Sequence, residues 1–260
     1  RFNRAPAGSR HALPPDFAAV LAAGLDIAAQ SGGAFDPAAG ALVDLWGFGS
    51  TPAAVLPPAD GAIAAARAVG DWRKLGWEAG SRVATQPGGL RLDLSGIAKG
   101  HAVDRMADWL AGQGVASYLV EVGGEFRGAG AKPDGQPWWV ALEQPPGAGP
   151  VPPPTRIALH GLSVATSGDY RRYFTAGGRR YSHSIDPRTG WPIVNQLASV
   201  SVVHPSCMWA DGWATALTVL GVEAGMALAD RLGLAALFVR RDQGGFSELL
   251  TPALATMGEG

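Results

Sequence analysis

The sequence predicts an α+β fold, and three observations carry that expectation. Short apolar, β-branched runs such as Tyr118–Val122 and Leu197–Val203 mix irregularly with helical periodicity and never settle into a strand–helix–strand winding. Glycine and proline supply 37 and 20 of the 260 residues, which punctuates the chain with turns. No repeat of about 20–50 residues and no interdomain linker interrupts it.

The elements follow in order. Apolar residues at 17, 20, 21, 25 and 28 share one helical face, and Gly32-Gly33 stop that helix, so Phe17–Gln30 is predicted helical. Ser31–Gly49 is Gly-rich and aromatic. Pro57–Val69 reads as a second helix opened by Pro57-Pro58 and closed by Gly70. Arg82–Thr85 and Leu90–Leu94 read as a hairpin around Pro87-Gly88-Gly89. Gly100–Ala111 is helical through Val103, Met106, Ala107 and Leu110, and Tyr118–Val122 reads as a buried strand ending at Gly123-Gly124. Trp138–Leu142 is a strand, and Gln144–Thr155, rich in Pro and Gly, is a loop. Strands are expected near Arg156–Leu159, Ser163–Thr166, Arg180–Ser184 and Leu197–Val203. Two helices, Met208–Leu220 and Glu223–Leu232, and two closing strands, Ala235–Arg240 and Phe246–Leu250, complete the chain.

Composition bounds the function. An apolar fraction of 47% excludes wholesale disorder. A net charge of -1 argues against a nucleic-acid partner, which needs a basic face, yet leaves room for a small anionic ligand at a local site. Cys207 is the single cysteine, so an intrachain disulfide and a multi-cysteine zinc site are both excluded. No stretch offers about 20 uninterrupted apolar residues, so no transmembrane segment is expected. The sequence opens at Arg1 without Met or an apolar leader, as expected of a processed or trimmed chain.

Four segments carry candidate chemistry. In Met208–Leu217, Asp211 and Thr215 lie four apart on one helical face and offer two hard oxygens, the donors Mg²⁺ prefers. The plainer reading places Asp211 near a helix start, with Thr215 packed or back-bonded. In Asp93-Leu-Ser-Gly-Ile-Ala-Lys-Gly-His101, a strand gives way through small residues to a helix, a phosphate seat to which Lys99 adds a cation; the alternative is an ordinary turn with a solvated lysine. This segment is not a Walker A loop. Val164–Tyr170 and Tyr181–Gly190 bring Thr166, Ser167, Asp169, His183 and Asp186 into two turn-like pieces. There His183 has the chemistry of a proton acceptor, and Asp186 either orients it or holds its own β-turn. Ser167 sits in no Gly-x-Ser-x-Gly elbow. In Glu121-Val-Gly-Gly-Glu125 the paired glycines permit either close backbone approach to a ligand or a tight turn. Trp46, Phe35 and Phe48 are mostly core residues by type, with the shape to flank a flat aromatic ligand.

Taken together these segments resemble the ApbE family of FAD:protein FMN transferases, from Phe2-Asn3 to about Leu237. The likeness is carried by Ser31-Gly-Gly-Ala-Phe-Asp36, Leu42-Val-Asp-Leu-Trp-Gly-Phe-Gly49, Asp93-Leu-Ser-Gly-Ile-Ala-Lys-Gly100, Val122-Gly-Gly124, Thr166-Ser-Gly-Asp-Tyr170, His183-Ser-Ile-Asp-Pro-Arg-Thr-Gly190, and Ala210-Asp211 with Ala214-Thr215. The resemblance implies a mixed fold of antiparallel sheets and packed helices, related to T-folds. It implies one domain over 1–260, built of two tightly associated subdomains with an FAD cleft between them. It implies Mg²⁺-dependent cleavage of FAD, transfer of FMN to a Thr or Ser hydroxyl of a target flavoprotein, and AMP release. FAD is then a substrate, not a redox cofactor. The metal ligands map onto Gly96 (through its carbonyl), Asp211 and Thr215. The flavin contacts map onto Ala34, Phe35, Asp36, Asp93, Lys99, Gly123, Gly124 and Ile185, and the catalytic role onto His183, with Asp169 and Asp186 as alternative bases. FAD pyrophosphatase activity with water as acceptor, and flavin binding without catalysis, remain alternatives. A Ser-Thr-Tyr-like motif of the family precedes the Phe-Asn pair and has no counterpart after Arg1, so the chain is expected to be truncated relative to the family. The family setting implies a periplasmic location and a lipid anchor upstream.

Overall fold

The computed structural model describes residues 1–49, 56–143, 145, 155–170 and 172–258. In chain order these form β1 (Arg10–Ala12), α1 (Pro15–Gln30), α2 (Gly40–Leu45), α3 (Asp60–Val69), β2 (Gly76–Glu78), β3 (Val83–Thr85), α4 (Ala98–Gly112), β4 (Tyr118–Val122) and β5 (Glu125–Ala129). They continue with β6 (Trp138–Ala141), β7 (Arg156–Leu159), β8 (Leu162–Gly168), β9 (Tyr173–Ala176), β10 (Arg179–Ser182), β11 (Ile185–Asp186), β12 (Trp191–Pro192) and β13 (Leu197–His204). Last come α5 (Cys207–Leu232), β14 (Ala235–Asp242), β15 (Gly245–Leu250) and α6 (Pro252–Ala255). The chain divides into two compact units, Arg1–Leu94 with Arg171–Val194, and Ser95–Tyr170 with Asn195–Gly260.

The first unit holds the antiparallel sheet β1-β3-β2 and the two-stranded pairs β9-β10 and β11-β12. Pro15 opens α1 at a position where a missing N–H costs nothing. The helix buries Leu21 in a cluster with Phe2, Leu75, Ala84, Leu90 and Leu92. A second cluster forms around Trp46, which is fully buried, stacks on Tyr181 at 5.6 Å and donates its indole N–H to the Gly190 carbonyl at 2.9 Å.

The expected hairpin between Arg82–Thr85 and Leu90–Leu94 does not form. Strand β3 is central, with β1 and β2 on its two edges, so no edge is left for residues 90–94. Side chains satisfy that segment instead. Oε1 of the buried Gln86 accepts from the Gly88 and Leu90 amides, and its Nε2 donates to the Leu90 carbonyl. Asn3 makes a reciprocal pair with the Leu92 backbone at 2.9 Å in each direction. Two amide side chains thus replace a ladder.

The second unit is built on a six-stranded antiparallel sheet ordered β15-β14-β13-β8-β5-β4, with β6-β7 as a separate pair. Seven of the eight residues of β13 are buried, which explains why it reads as a continuous apolar run. Strand β4 is an edge strand with Val120 as its one buried residue, so its expected burial is corrected to half-exposure. Val122 and Glu125 pair across the two-residue turn Gly123-Gly124, whose φ values of 63° and 97° suit glycine. Helix α5 breaks at Gly221 (φ 81°), where the sequence predicts two helices, and ends on left-handed Gly233. By length and composition α5 is apolar enough to cross a membrane, and most of that stretch is buried. Most of the Gln144–Thr155 loop lies outside the described residues.

Candidate active site

In the second unit, the N-terminal ends of α4 and α5 meet. Asp104, on α4, caps α5. Its carboxylate accepts from the Cys207 amide at 2.9 Å, the Met208 amide at 3.0 Å and the Ser206 hydroxyl at 2.7 Å, and Arg127 balances its charge at 2.8 Å. Two orphan amides at the helix start, together with the Ser206 hydroxyl, are satisfied by one anchored anion. The helices approach so closely at Gly100 that a Cβ there would lie 2.2 Å from the Cys207 carbonyl oxygen.

That contact sets the register of the next turn of α5. Asp211 is 4% exposed, and its Oδ2 accepts from the Gly100 amide at 3.0 Å. One turn on, the Thr215 hydroxyl donates to the Gly96 carbonyl at 3.3 Å. Burial pushes the Asp211 carboxyl above its ordinary range, opposed by the Lys99 charge and the Gly100 hydrogen bond. A carboxylate whose charge is only partly compensated within the fold, beside a hydroxyl and a carbonyl, is a donor set of hard oxygens suited to a divalent cation. The residues present therefore fit Mg²⁺. Its remaining positions would fall to water and substrate oxygens, because one carboxylate supplies little of a six-oxygen shell. Among the described residues no cluster of three His, Cys, Asp or Glu side chains suits a metal, so a cation here would be held by one carboxylate with hydroxyl and carbonyl oxygens.

Lys99 forms an ion pair with Glu125, whose side chain is 1% exposed while that of Lys99 is 43% exposed. Glu125 thus anchors the Lys99 ammonium, while the Lys99 side chain as a whole stays partly exposed. Gly123 leaves room for it, since a Cβ there would sit 3.3 Å from Lys99 Cδ. The glycine pair makes the tight turn, and Gly123 leaves space for the Lys99 stem. Burial, with Asp104, Asp211 and Glu125 nearby, pushes the Cys207 thiol far up, so it is no nucleophile. Asp169 lies in this unit as well. Both of its carboxylate oxygens are taken by Arg241, which also donates to the Leu197 carbonyl at 2.7 Å.

The first unit carries the other predicted residues. Ala34 and Phe35 are buried. Asp36 Oδ1 accepts from the Ala38 amide at 2.7 Å and Oδ2 from the Trp72 amide at 3.3 Å, while the Asp93 amide donates to the Pro37 carbonyl at 2.9 Å. The structure thus joins Ala34–Asp36 to Asp93, distant in sequence. Burial raises the Asp36 carboxyl to about 6. Asp36 lines a cavity of about 450 Å³ with Gly33, Arg67, Trp72, Arg73 and Arg188. Among the described residues, the buried Trp72 indole N–H has no hydrogen-bond partner.

The His183 ring meets Phe48 edge-on at 6.2 Å, and its Nδ1 lies 3.1 Å from the Arg172 carbonyl. That contact selects the tautomer with the proton on Nδ1 and the lone pair on Nε2, the form a general base needs. Ile185 is buried beside Trp46. Asp186 does turn work: it accepts from the Arg188 amide, Nε and Nη2, each at 2.9 Å, and its carbonyl accepts from Gly190 at 2.7 Å. The sequence did not single out Glu125, Asp104, Trp72 or Arg188. Glu125 stood beside the noted glycine pair, and that adjacency was the available signal.

Comparisons with known proteins agree on one family. A profile described as the ApbE family matches residues 1–238. The FAD:protein FMN transferase of Vibrio cholerae is 40% identical over 248 residues, covering 95% of this chain and 74% of the relative. That of Haemophilus influenzae is 38% identical over 237 residues, covering 90% and 68%. Among solved structures, the apo flavinyl transferase ApbE of Pseudomonas stutzeri superposes with a TM-score of 0.87 at 43% identity, over 99% of this chain and 79% of that one. The flavin transferase ApbE of Vibrio cholerae gives 0.90 at 38% identity, over 98% and 81%. With the motifs, the antiparallel α+β architecture and these relatives in agreement, the chain belongs to the ApbE family.

Proposed function

We propose that this chain uses Mg²⁺ to transfer FMN from FAD to a Thr or Ser hydroxyl of a target flavoprotein, with release of AMP. Family membership makes it a flavin transferase. The observation that carries the finer reading is the convergence of Asp211, Thr215 and the Gly96 carbonyl next to the Lys99–Glu125 pair.

Asp211, Thr215 and the Gly96 carbonyl would hold the metal, which would neutralise charge on the diphosphate bridge of FAD. Lys99 adds a second positive charge, and Glu125 keeps its ammonium from wandering. His183 takes the acceptor's hydroxyl proton at Nε2. The acceptor oxygen then bonds to the FMN phosphorus as the phosphorus–oxygen bond to AMP breaks, so the phosphate stays on FMN and no redox step is needed. The cavity at Asp36 and Trp72 offers an aromatic wall and an unsatisfied N–H to a heterocyclic part of the dinucleotide. Asp186 shapes the loop after His183, and Asp169 serves its ion pair with Arg241.

The test is to incubate the protein with FAD, Mg²⁺ and a purified flavoprotein domain and to weigh the acceptor. The expected result is an acceptor heavier by one FMN, with AMP in equal amount and dependence on added metal. AMP and free FMN without an adduct would show water as the acceptor and overturn the transfer reading. FAD bound but intact would overturn catalysis altogether.

A further inference from the structure

Strand β4 ends one side of the six-stranded sheet and, among the described residues, pairs with β5 alone. The two-residue turn at Gly123-Gly124 makes Val122 and Glu125 a hydrogen-bonded pair. Antiparallel pairs alternate, so Tyr118 and Val120 also direct their N–H and C=O groups at β5. Those of Leu119 and Glu121 point the other way, onto an open edge. The strand holds no Pro and no Lys, and its register has no bulge, so it lacks three devices that keep an edge from pairing.

Helix α4 lies over this strand. Val103, Ala107 and Leu110 form its inner stripe and share a cluster with Tyr118, Val120 and Val122. One flank of that stripe is occupied: Gly100 abuts Cys207, Asp104 caps α5, and Arg127 on β5 pairs with Asp104 and Asp108. The opposite flank carries Lys99, Ala102, Met106 and Trp109, spaced three, four and three apart along one line. With β5 and α5 on the first flank, the second overhangs the outer edge of β4. Met106 there is 49% exposed and Trp109 65%. Lys99 to Trp109 is about 15 Å of helix and β4 about 14 Å of strand, so roof and edge match in length. Both end where the Lys99 stem meets Gly123.

We infer that the outer edge of β4, beneath Met106 and Trp109, is the docking groove for the acceptor protein. The acceptor adds an extended segment as a further antiparallel strand and brings its hydroxyl to the Lys99 end. This rests on the flavin-transfer reading, since that reaction has a protein as its second substrate. The outward groups of Leu119 and Glu121 call for a strand, as in other sheets that bind peptides by their edge. Side chains opposite Val120 would turn toward α4, where Met106 and Trp109 select apolar residues. A second copy of this chain is the less favoured occupant, because the edge runs into the Lys99–Glu125 pair and a second copy would obstruct the approach to it.

The probe is a short peptide with one Thr near its N-terminus, valine alternating with glutamine after it, and fluorescein at its C-terminus. Two further versions carry backbone N-methyl groups, one on the glutamines and one on the valines. Binding to the intact chain is read by anisotropy. With the valines toward α4, the glutamine amides face β4, so methylating them should weaken binding at least about tenfold and methylating the valines far less. Two variants test the groove: Met106→Gln with Trp109→Gln, and Leu119→Pro, which removes an outward amide and no ladder bond. Each should weaken binding at least about tenfold and raise the peptide's KM more than it lowers kcat, while FAD affinity and thermal melting confirm its fold. A peptide that does not bind, equal effects of the two methylation patterns, or binding unchanged in the folded variants overturns the proposal. So does a dimer in sedimentation that Leu119→Pro dissolves while peptide binding persists, which would give the edge to a second copy. Binding to phosphatidylglycerol vesicles that the double variant abolishes, with its peptide binding intact, would make the flank a lipid contact and overturn it too. A peptide that binds as expected but receives no FMN contradicts the flavin-transfer reading and leaves the docking intact.

Discussion

The Asp211 carboxylate accepts a hydrogen bond from the Gly100 amide at 3.0 Å, tying the first turn of α4 to α5 one turn beyond its start. This bond fixes one oxygen of the proposed cation site without a second carboxylate. It also makes the geometry depend on how closely two backbones approach.

Gly100→Ala tests that dependence. The new methyl would meet the Cys207 carbonyl oxygen at 2.2 Å and the Met208 nitrogen at 2.8 Å, and both are backbone atoms that cannot rotate away. We expect a loss of about 1–3 kcal/mol in stability, from overpacking, in urea unfolding. Metal affinity should fall further than stability alone explains. A variant with unchanged metal affinity would show that α5 holds its ligands without α4.

The Lys99–Glu125 pair separates structure from function. Lys99→Met leaves Glu125 buried and uncompensated, at a cost of about 1–3 kcal/mol, moderated because Lys99 is partly solvated. Adding Glu125→Gln should restore the melting temperature but not transfer. If the double variant recovers activity, Lys99 plays no part in the chemistry.

Asp36 supplies a pH signature. Its carboxyl rises from 3.8 to about 6 through burial, so the folded state binds its proton more tightly than the unfolded state does. Stability from this group is full below about pH 4, falls as pH rises to about 6, and is constant above; the span amounts to about 3 kcal/mol. Asp36→Asn, which cannot ionise, should therefore gain on the wild type by up to that amount between pH 4 and about pH 7. Parallel stability curves for the two proteins would refute the assignment.

For His183→Ala, transfer should fall about 10²–10⁴-fold while FAD still binds. An unaltered rate would move the base role to a carboxylate.

The sequence made some elements legible and hid others for physical reasons. Helix α1 showed its apolar stripe, and the Asp211–Thr215 spacing predicted a shared face that the structure keeps. Strands β9, β11 and β12 were missed because they are short and draw their order from packing around Trp46. The expected hairpin at Pro87 failed because Gln86 and Asn3, polar residues with no visible pattern, satisfy the backbone that a ladder would have used. Glu125 was hidden for a related reason: a buried carboxylate is recognisable only once its partner is placed. Asp186 carried both a turn reading and a functional one, and the structure shows the turn.

Asp211, Thr215 and the Gly96 carbonyl are proposed as a divalent cation site. Its most direct test is Mn²⁺ binding followed by electron paramagnetic resonance in the presence of FAD, for the wild type and for Asp211→Asn. The account predicts a bound-manganese signal in the wild type and an affinity weakened about 100-fold or more in the variant, because an amide cannot replace the charge. Equal manganese affinity in the two proteins would contradict it.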